Sequence, residues 1–220
     1  MNQENKQTII VIDDAIIRKP RRGVESQFDF MTHTLTNVIG SDSLTVLPPN
    51  DRITFRKFKN KTKYGAMKND KEVLIKAIQR VLKAPNDEKD TIDEIKEYFA
   101  INSIDGFCID YELFSENPQR CNAYTFFTHF IKQSANSYKL LFHSSQFDEQ
   151  TMEIQKLKKL VEESGYTFTF CYLPGNLRIR NERASEKIRE AFLGTDAKQS
   201  ETEEKKKLIT PNSQHQQSSK

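Results

Sequence analysis

Short runs of β-branched and aromatic side chains recur along the chain, separated by longer segments of mixed polarity. These runs occupy residues 8–13, 106–110, 138–143 and 166–172. The first of them, TIIVID, is continuously apolar up to its final acid, which is typical of a strand covered on both faces in a parallel sheet. Residues 43–47 are predicted to form one more strand, which ends at a pair of prolines. The pattern therefore predicts five strands.

Between the strands, apolar side chains recur at every third or fourth position, which predicts amphipathic helices. The first apolar face covers residues 24–38, and Gly40 ends it. Asp70 is the predicted N-cap of a second helix, and a short helix over residues 91–100 follows it. The last predicted helix ends at Gly194.

Two further helices are predicted from capping residues. Asn117 followed by Pro118 is a favourable pair for the N-cap and first position of a helix. That helix is expected to carry Tyr124, Phe127 and Ile131 on one face. Asp148 is the predicted N-cap of the next helix, with Met152 directed inward.

Strands that alternate with helices predict an α/β fold. We expect a flavodoxin-like, doubly wound, five-stranded parallel sheet with helices on both faces, in one domain over residues 1–194. Residues 18–102 are more than two crossovers need, so an insertion or enlargement is predicted after the first strand and helix, at about 41–102. Residues 195–220 contain few large apolar side chains and are predicted to be a disordered tail.

Polar side chains follow three of the predicted strands. Asp13 and Asp14 end the first strand, Asp110 ends the strand GFCID, and Ser144 follows the strand YKLLFH. Ligands of parallel sheets bind at the edge where the carboxyl ends of the strands meet. Three carboxylates at one edge repel each other unless a cation lies between them, and oxygen ligands suit Mg²⁺. The pattern predicts a site for a hard metal ion and phosphate.

The motifs TIIVIDDA, DGFCIDYEL, KLLFHSS and YTFTFCYLP resemble, in this order, the first, third, fourth and fifth strands of a response-regulator receiver domain. The resemblance implies that Asp13, Asp14, Asp110 and the backbone carbonyl of Glu112 bind Mg²⁺. It also implies that Asp110 accepts a phosphoryl group from a histidine kinase. Ser144 would then be the switch hydroxyl that moves to contact the phosphate.

The resemblance extends over about residues 8–193, without the insertion, and the chain departs from the family near its end. Receiver domains carry a lysine before the proline of the fifth strand, where this chain has Leu173 before Pro174. Arg178 and Arg18 are the candidate substitutes for that charge.

The function implied is that of a stand-alone, divergent receiver-like regulator that controls a protein partner, and not of a turnover enzyme. In the family, the partner binds around the fourth strand, the helix after it and the fifth strand, here Tyr138–Tyr172. Two alternatives remain open. One is a pseudo-receiver interaction module with an inactive pocket, which Leu173 favours. The other is a metal-dependent phosphohydrolase, which would need a general acid or a second set of metal ligands.

Two clusters of cations add candidate anion contacts to a chain whose net charge is only +3. One cluster, placed directly after the acidic pair, consists of Arg18, Lys19, Arg21 and Arg22. The other is Arg52–Lys68, which contains no acidic residue. Binding of an anionic partner such as a phosphate backbone or a lipid surface is one interpretation of this segment, and a solvated edge strand is the other.

Several functional classes are disfavoured by what the sequence lacks. It contains no P-loop, GxGxxG or GxSxG motif, and its histidines lack the spacing of a zinc site. No apolar stretch reaches the ~20 residues that span a bilayer, and the first residues do not follow the pattern of a signal peptide. The three cysteines form no CxxC pair. These features predict a cytoplasmic protein without a membrane span.

Overall fold

Five parallel strands form one sheet in the computed structural model, which describes residues 6–16, 26–47, 70–114 and 121–194. In chain order the strands are β1 (Gln7–Ile12), β2 (Leu44–Leu47), β3 (Gly106–Asp110), β4 (Lys139–Ser144) and β5 (Phe170–Tyr172). They lie in the order β2-β1-β3-β4-β5, and every neighbouring pair is parallel. The predicted flavodoxin-like, five-stranded parallel sheet is confirmed.

Six helices accompany the sheet within the described residues. They are α1 (Gln27–Ile39), α2 (Asp70–Lys83), α3 (Lys89–Ile101), α4 (Ala123–Phe126), α5 (Met152–Glu163) and α6 (Leu177–Ile188). Two of them continue as π-helical turns, α4 over Phe127–Ile131 and α6 over Arg189–Leu193. Short 3₁₀ turns occupy Asp14–Ile16 and Pro85–Asp87.

The helices cover both faces of the sheet. On one face, α1 and α6 pack against a cluster that includes Ile9, Val11 and Cys108. On the other face, α2, α3, α4 and α5 pack against a cluster that includes Ile10 and Phe107. Because alternate residues of the same strands enter the two clusters, both faces of the central strands are buried, as the continuous apolar runs predict.

The structure describes part of the enlarged region. Two helices, α2 and α3, lie between β2 and β3, where one crossover helix would be sufficient to connect parallel strands. The predicted insertion at 41–102 thus contains β2, α2 and α3. Its remaining part, residues 48–69, and the predicted tail at 195–220 lie outside the described residues.

The last strand is shorter than the sequence predicts. Residues 166–172 were expected to form it, but β5 comprises only Phe170–Tyr172. The reason lies in the pairing with β4, whose ladder with β5 runs only from Phe142 to Ser144. Upstream of the ladder, the hydroxyl of Tyr166 donates to the backbone carbonyl of Asn136, outside the sheet.

The start of α4 is determined by a capping box. The Asn122 side chain accepts a hydrogen bond from the backbone N–H of Thr125, whose hydroxyl in turn accepts from the backbone N–H of Asn122. The predicted cap, Asn117 with Pro118, lies outside the described residues. Of the residues expected to share one face of this helix, Phe127 and Ile131 are buried, whereas the prediction is wrong for Tyr124, whose side chain is exposed.

The start of α5 also differs from the prediction. Its N-cap is Thr151, whereas the carboxylate of Asp148 accepts from the backbone N–H of Gln150 in the turn before the helix. Met152 is therefore the first helical residue, and its side chain is 66% exposed instead of directed inward. Both predictions are wrong because a local Asx turn competes with the helix for Asp148.

Candidate metal centre

Three polar side chains lie side by side at the carboxyl ends of β1, β3 and β4. Asp110 and His143 are direct partners in the ladder between β3 and β4. The ladder between β1 and β3 remains in register up to the residues directly before Asp13 and Asp110. Because side chains alternate along a strand, Asp110 points to the same face as the buried Cys108, which is the face that α1 and α6 cover.

The structure brings together the three aspartates that the sequence singles out. Carboxylate oxygens of Asp13, Asp14 and Asp110 all lie within 4.8 Å of one another, and all three residues are buried. The consecutive acids both reach the cluster because the chain turns sharply after β1. The backbone N–H of Ala15 donates to Asp13 Oδ1 at 2.7 Å, and the 3₁₀ turn begins there.

The ionised form of Asp110 is strongly disfavoured in this cluster. Burial raises the pKa of its carboxyl well above the ordinary range, and the negative charges of Asp13, Asp14 and Glu112 raise it further. The backbone N–H of Glu112 opposes this shift by hydrogen-bonding the Asp110 carboxyl. The cluster therefore favours either a proton or a cation.

The donor set fits a hard divalent cation. All three side chains offer carboxylate oxygens, which are the ligands that Mg²⁺ and Ca²⁺ prefer. Ligand oxygens on opposite sides of one Mg²⁺ ion lie about 4.2 Å apart, so the spacing of the cluster is close to that of a single coordination sphere. The ligands that would hold the ion are Asp13, Asp14 and Asp110. The carbonyl of Glu112 stays a predicted fourth ligand.

A glutamine from α1 joins the cluster. The side-chain nitrogen Nε2 of Gln27 lies 3.2 Å from Asp110 Oδ1 and 2.9 Å from His143 Nδ1. Asp110 Oδ1 and His143 Nδ1 themselves are 3.8 Å apart. Gln27 reaches this position because Ser26 is the N-cap of α1, so Gln27 is the first residue of the helix.

His143 is a neutral imidazole in this environment. Complete burial, together with the positive charge of Arg180, lowers its pKa from 6.5 to about 3. Its other ring nitrogen, Nε2, is buried and has no hydrogen-bond partner within the described part of the chain. His143 therefore does not neutralise the charge of the aspartates.

Ser144, the predicted switch hydroxyl, is buried at the end of β4. It directly follows His143, so its side chain points to the opposite face of the sheet. Its Oγ accepts hydrogen bonds of 3.0 Å from the backbone N–H groups of Gln146 and Phe147. Ser144 thus holds the turn that leaves β4, and contact with an occupant at Asp110 would require that these bonds be released.

The position at which the resemblance to receiver domains predicts a lysine is apolar. Leu173 is only 2% exposed and belongs to the apolar cluster on the α1 and α6 face. Arg178, a candidate substitute, is directed to solvent and pairs with Glu182. Among the described residues, Arg180 is a cation whose charge acts on His143, and its guanidinium lies 3.9 Å from the centroid of the Phe30 ring.

The remaining candidate anion contacts belong to segments that the structure does not describe. Arg18, Lys19, Arg21 and Arg22, the predicted anion contacts, lie outside the described residues, and so does Arg52–Lys68. Comparison of the chain with protein-family models, curated proteins and solved structures gave no match. Among the described helices, none is long and apolar enough to cross a membrane.

Sequence reasoning missed Gln27, the role of His143 beside Asp110, and Arg180. Gln27 carries no motif, and its position follows only from the packing of α1. The sequence did contain a signal for His143, because a polar residue that ends an apolar strand is a candidate neighbour of the acid that ends the adjacent strand. The register that makes Asp110 and His143 partners is a property of the sheet and is not encoded by spacing.

Proposed function

We propose that this chain is a divergent receiver-like regulator that binds Mg²⁺ between Asp13, Asp14 and Asp110. In this proposal Asp110 accepts a phosphoryl group, from a histidine kinase or a small phosphodonor, and thereby controls a protein partner. The observation that carries it is the cluster of three buried carboxyls at the carboxyl ends of two adjacent inner strands, β1 and β3. In a doubly wound sheet this edge is where ligands bind.

The chemistry assigned to Asp110 follows from its surroundings. Mg²⁺ supplies positive charge that offsets the repulsion between the carboxyls and keeps Asp110 ionised. An Asp110 oxygen then forms the new bond to phosphorus. With a phosphohistidine donor that carries a proton on its other ring nitrogen, the P–N bond breaks, its electron pair remains on the leaving nitrogen, and the ring leaves as neutral imidazole. With acetyl phosphate, the P–O bond breaks and acetate leaves with the electron pair. The Glu112 N–H, already bonded to the Asp110 carboxyl, keeps that carboxyl oriented.

The partner surface in this proposal is Tyr138–Tyr172, which comprises β4, α5 and β5 at one side of the sheet. Ser144 connects this surface to the site, because its hydroxyl holds the turn at Gln146 and Phe147 before α5. If phosphate at Asp110 draws the hydroxyl away, that turn is released. The ligand then shifts a pre-existing equilibrium of the partner surface, as it must bind one state better than the other.

An interaction module with an inactive pocket is the second candidate, and one observation favours it. Leu173 is part of the apolar core where receiver domains carry the lysine that pairs with the phosphorylated aspartate. In that case the fold and the surface Tyr138–Tyr172 would act without cation or phosphate. The two candidates differ in whether Mg²⁺ binds.

The deciding experiment is chemical unfolding with Mg²⁺, and with Mg²⁺ plus beryllofluoride, which stands in for an acyl phosphate. A ligand that binds only the folded state, at a hundred times its Kd, raises the free energy of unfolding by about 2.7 kcal/mol. We expect this gain in the wild type and its loss in Asp110→Asn. Asp93→Asn, which changes an exposed aspartate of α3, is the matched control and should keep the gain.

The outcomes of this experiment distinguish the phosphoryl-accepting regulator from the module with an inactive pocket. A gain that Asp110→Asn abolishes, together with a phosphoryl mass increase after incubation with acetyl phosphate, supports the regulator. A gain with Mg²⁺ but none with beryllofluoride would leave a cation site without phosphoryl chemistry. No gain with either ligand would contradict the proposal and favour the inactive pocket.

A further inference from the structure

The Gln27 side chain bridges the two groups that face each other across the β3–β4 ladder. Its Nε2 is 3.2 Å from Asp110 Oδ1 and 2.9 Å from His143 Nδ1, both within hydrogen-bond distance. A primary amide nitrogen carries two hydrogens, so one amide group can donate to both acceptors at once. Neither Ser144 nor the acidic neighbours of Asp110 can do this, because they offer no comparable pair of donors.

The direction of the amide follows from the chemistry of its partners. The Gln27 atom that faces both groups is Nε2, which only donates, so Asp110 Oδ1 and His143 Nδ1 both act as acceptors. A bare Nδ1 places the proton of a neutral ring on Nε2. If the amide were reversed, the oxygen of Gln27 would face a carboxylate oxygen and a ring lone pair, and both contacts would be repulsive. A bare Nδ1 on His143 thus favours the orientation in which Gln27 donates to Asp110.

We propose that Gln27 is a positioning residue for the metal centre, and that His143 acts through it by fixing the direction of the Gln27 amide. The inference rests on the proposed function, since it assigns residues to the same site. With Gln27 on one carboxylate oxygen and the Glu112 N–H on the same carboxyl, Asp110 is held by two donors from two different segments. Its orientation toward Asp13 and Asp14 is fixed before any cation arrives.

Partners of a metal ligand that orient it from outside the coordination sphere commonly change metal affinity by about 10- to 100-fold when they are removed. Gln27→Leu keeps a side chain of similar length and removes the amide donor. It should therefore weaken binding of Mg²⁺, measured by calorimetric titration, by a factor in that range. His143→Phe keeps a ring of similar size, removes the acceptor that orients the amide, and should weaken binding in the same direction.

Two comparisons separate positioning from a general loss of structure. If His143 acts through Gln27, the double variant Gln27→Leu with His143→Phe should bind Mg²⁺ no more weakly than Gln27→Leu alone. His143→Asn places an amide oxygen near the position of Nδ1 and should recover most of the affinity. Thr34→Val, which loses a buried hydrogen bond to the Phe30 carbonyl in the same helix, should leave the affinity unchanged.

A second readout needs no metal. Nitrogen chemical shifts of His143 in the metal-free protein should identify Nε2 as protonated and Nδ1 as bare. A coupling across the hydrogen bond should connect Gln27 Nε2 with His143 Nδ1, and it should disappear in His143→Phe. A protonated Nδ1, or an absent coupling, would overturn the assigned bridge.

Failure of the inference and failure of the proposed function give different results. Unchanged Mg²⁺ affinity in Gln27→Leu, with normal binding by the wild type, overturns the positioning role and leaves the metal site intact. Additive losses in the double variant overturn the claim that His143 acts through Gln27. If the wild type binds no Mg²⁺, the proposed function and the positioning role both fail, and the nitrogen shifts decide only whether the bridge exists.

Discussion

Asp110 and His143 are partners in the β3–β4 ladder, yet Asp110 Oδ1 and His143 Nδ1 are 3.8 Å apart and the Gln27 amide contacts both. The two do not form an ion pair, because burial lowers the pKa of His143 to about 3 and leaves the ring neutral. The negative charge of the aspartates is thus not offset by the imidazole. That charge remains available to a cation or a proton.

The stability of the metal-free protein should fall as the pH rises through the raised pKa of Asp110. In the unfolded chain the carboxyl titrates near its ordinary value of 3.8, whereas the folded protein keeps the proton to higher pH. The folded state then binds more protons, so this stabilisation is complete below the unfolded-state pKa and is lost as pH rises through the folded-state pKa.

Urea unfolding in EDTA, from about pH 4 to about pH 9, measures this dependence against the ordinary titration range of carboxyls. Above pH 6.5, the ordinary pKa of histidine, Asp110→Asn should flatten the curve, and saturating Mg²⁺ should flatten it in the wild type because the cation replaces the proton. A wild-type curve that rises over the range in which Asp110→Asn is flat would contradict the raised pKa.

His143 should contribute a pH dependence of the opposite sign. Its pKa is lowered from 6.5 to about 3, so below pH 6.5 the unfolded chain binds a proton that the folded protein does not. Stability present above the unfolded-state pKa is lost as pH falls toward the folded-state pKa, by at most about 1.4 kcal/mol per pH unit. His143→Phe should remove this loss.

The opposite contributions of Asp110 and His143 to the pH dependence can be separated by measuring His143→Phe in a protein that lacks the Asp110 carboxyl. Comparing His143→Phe with its parent in an Asp110→Asn protein removes the carboxyl from both curves. Equal acid sensitivity of the two proteins would show that the imidazole titrates near its ordinary pKa, and that the ring is not held neutral.

Introducing the lysine of receiver domains should destabilise this protein. Leu173→Lys places an ammonium group in the apolar cluster between the sheet, α1 and α6. We expect the free energy of unfolding to fall by about 3–5 kcal/mol, as for an uncompensated buried charge. Leu173→Met, which conserves volume, should cost less than about 1.5 kcal/mol. Wild-type stability of Leu173→Lys would instead indicate that the ammonium reaches the carboxylates.

Gly106 should not tolerate a side chain. A Cβ there would lie 2.7 Å from Phe192 Cε1 and 2.9 Å from the carbonyl oxygen of Lys139, and the carbonyl belongs to the neighbouring strand and cannot move freely. Gly106→Ala should therefore lower the free energy of unfolding by about 1–3 kcal/mol. At Gly175 a Cβ meets nothing within 4 Å, so Gly175→Ala is the matched control and should change it by less than about 0.5 kcal/mol. Equal effects of the two changes would contradict the close approach of Phe192.

The sheet and its acidic edge were predictable because they depend on local pattern. Continuous apolar runs ended by Asp13 and Asp110 indicate buried parallel strands, and the carboxyl ends of such strands meet at one edge. The bridge at Gln27 could not be predicted, since it depends on how α1 packs and on which residue of β4 is paired with Asp110. A glutamine at the first position of a helix has the same local signature whether it touches a ligand site or solvent.

The wrong predictions concern helix starts and side-chain direction near them. Asp148 and Thr151 are both good caps by residue type, and the choice between them depended on a turn that the Asp148 carboxylate forms with the Gln150 N–H. The cap thus lies three residues later than predicted. Met152 points outward because the buried face of α5 is formed by Ile154, Leu157 and Val161. Two positions before Ile154, Met152 is turned by about 200° from that residue.

The contacts around Asp110 span long stretches of the chain. Gln27 lies 83 residues before Asp110 and 116 residues before His143. None of these contacts can form until β1 has paired with β3 and β3 with β4, so the assembled site exists only in the completed sheet. A bound ion would therefore oppose cooperative opening of the whole sheet rather than fraying at its ends. In a hydrogen-exchange experiment, the amides of β1, β3 and β4 would slow together, by the same factor, as Mg²⁺ is added.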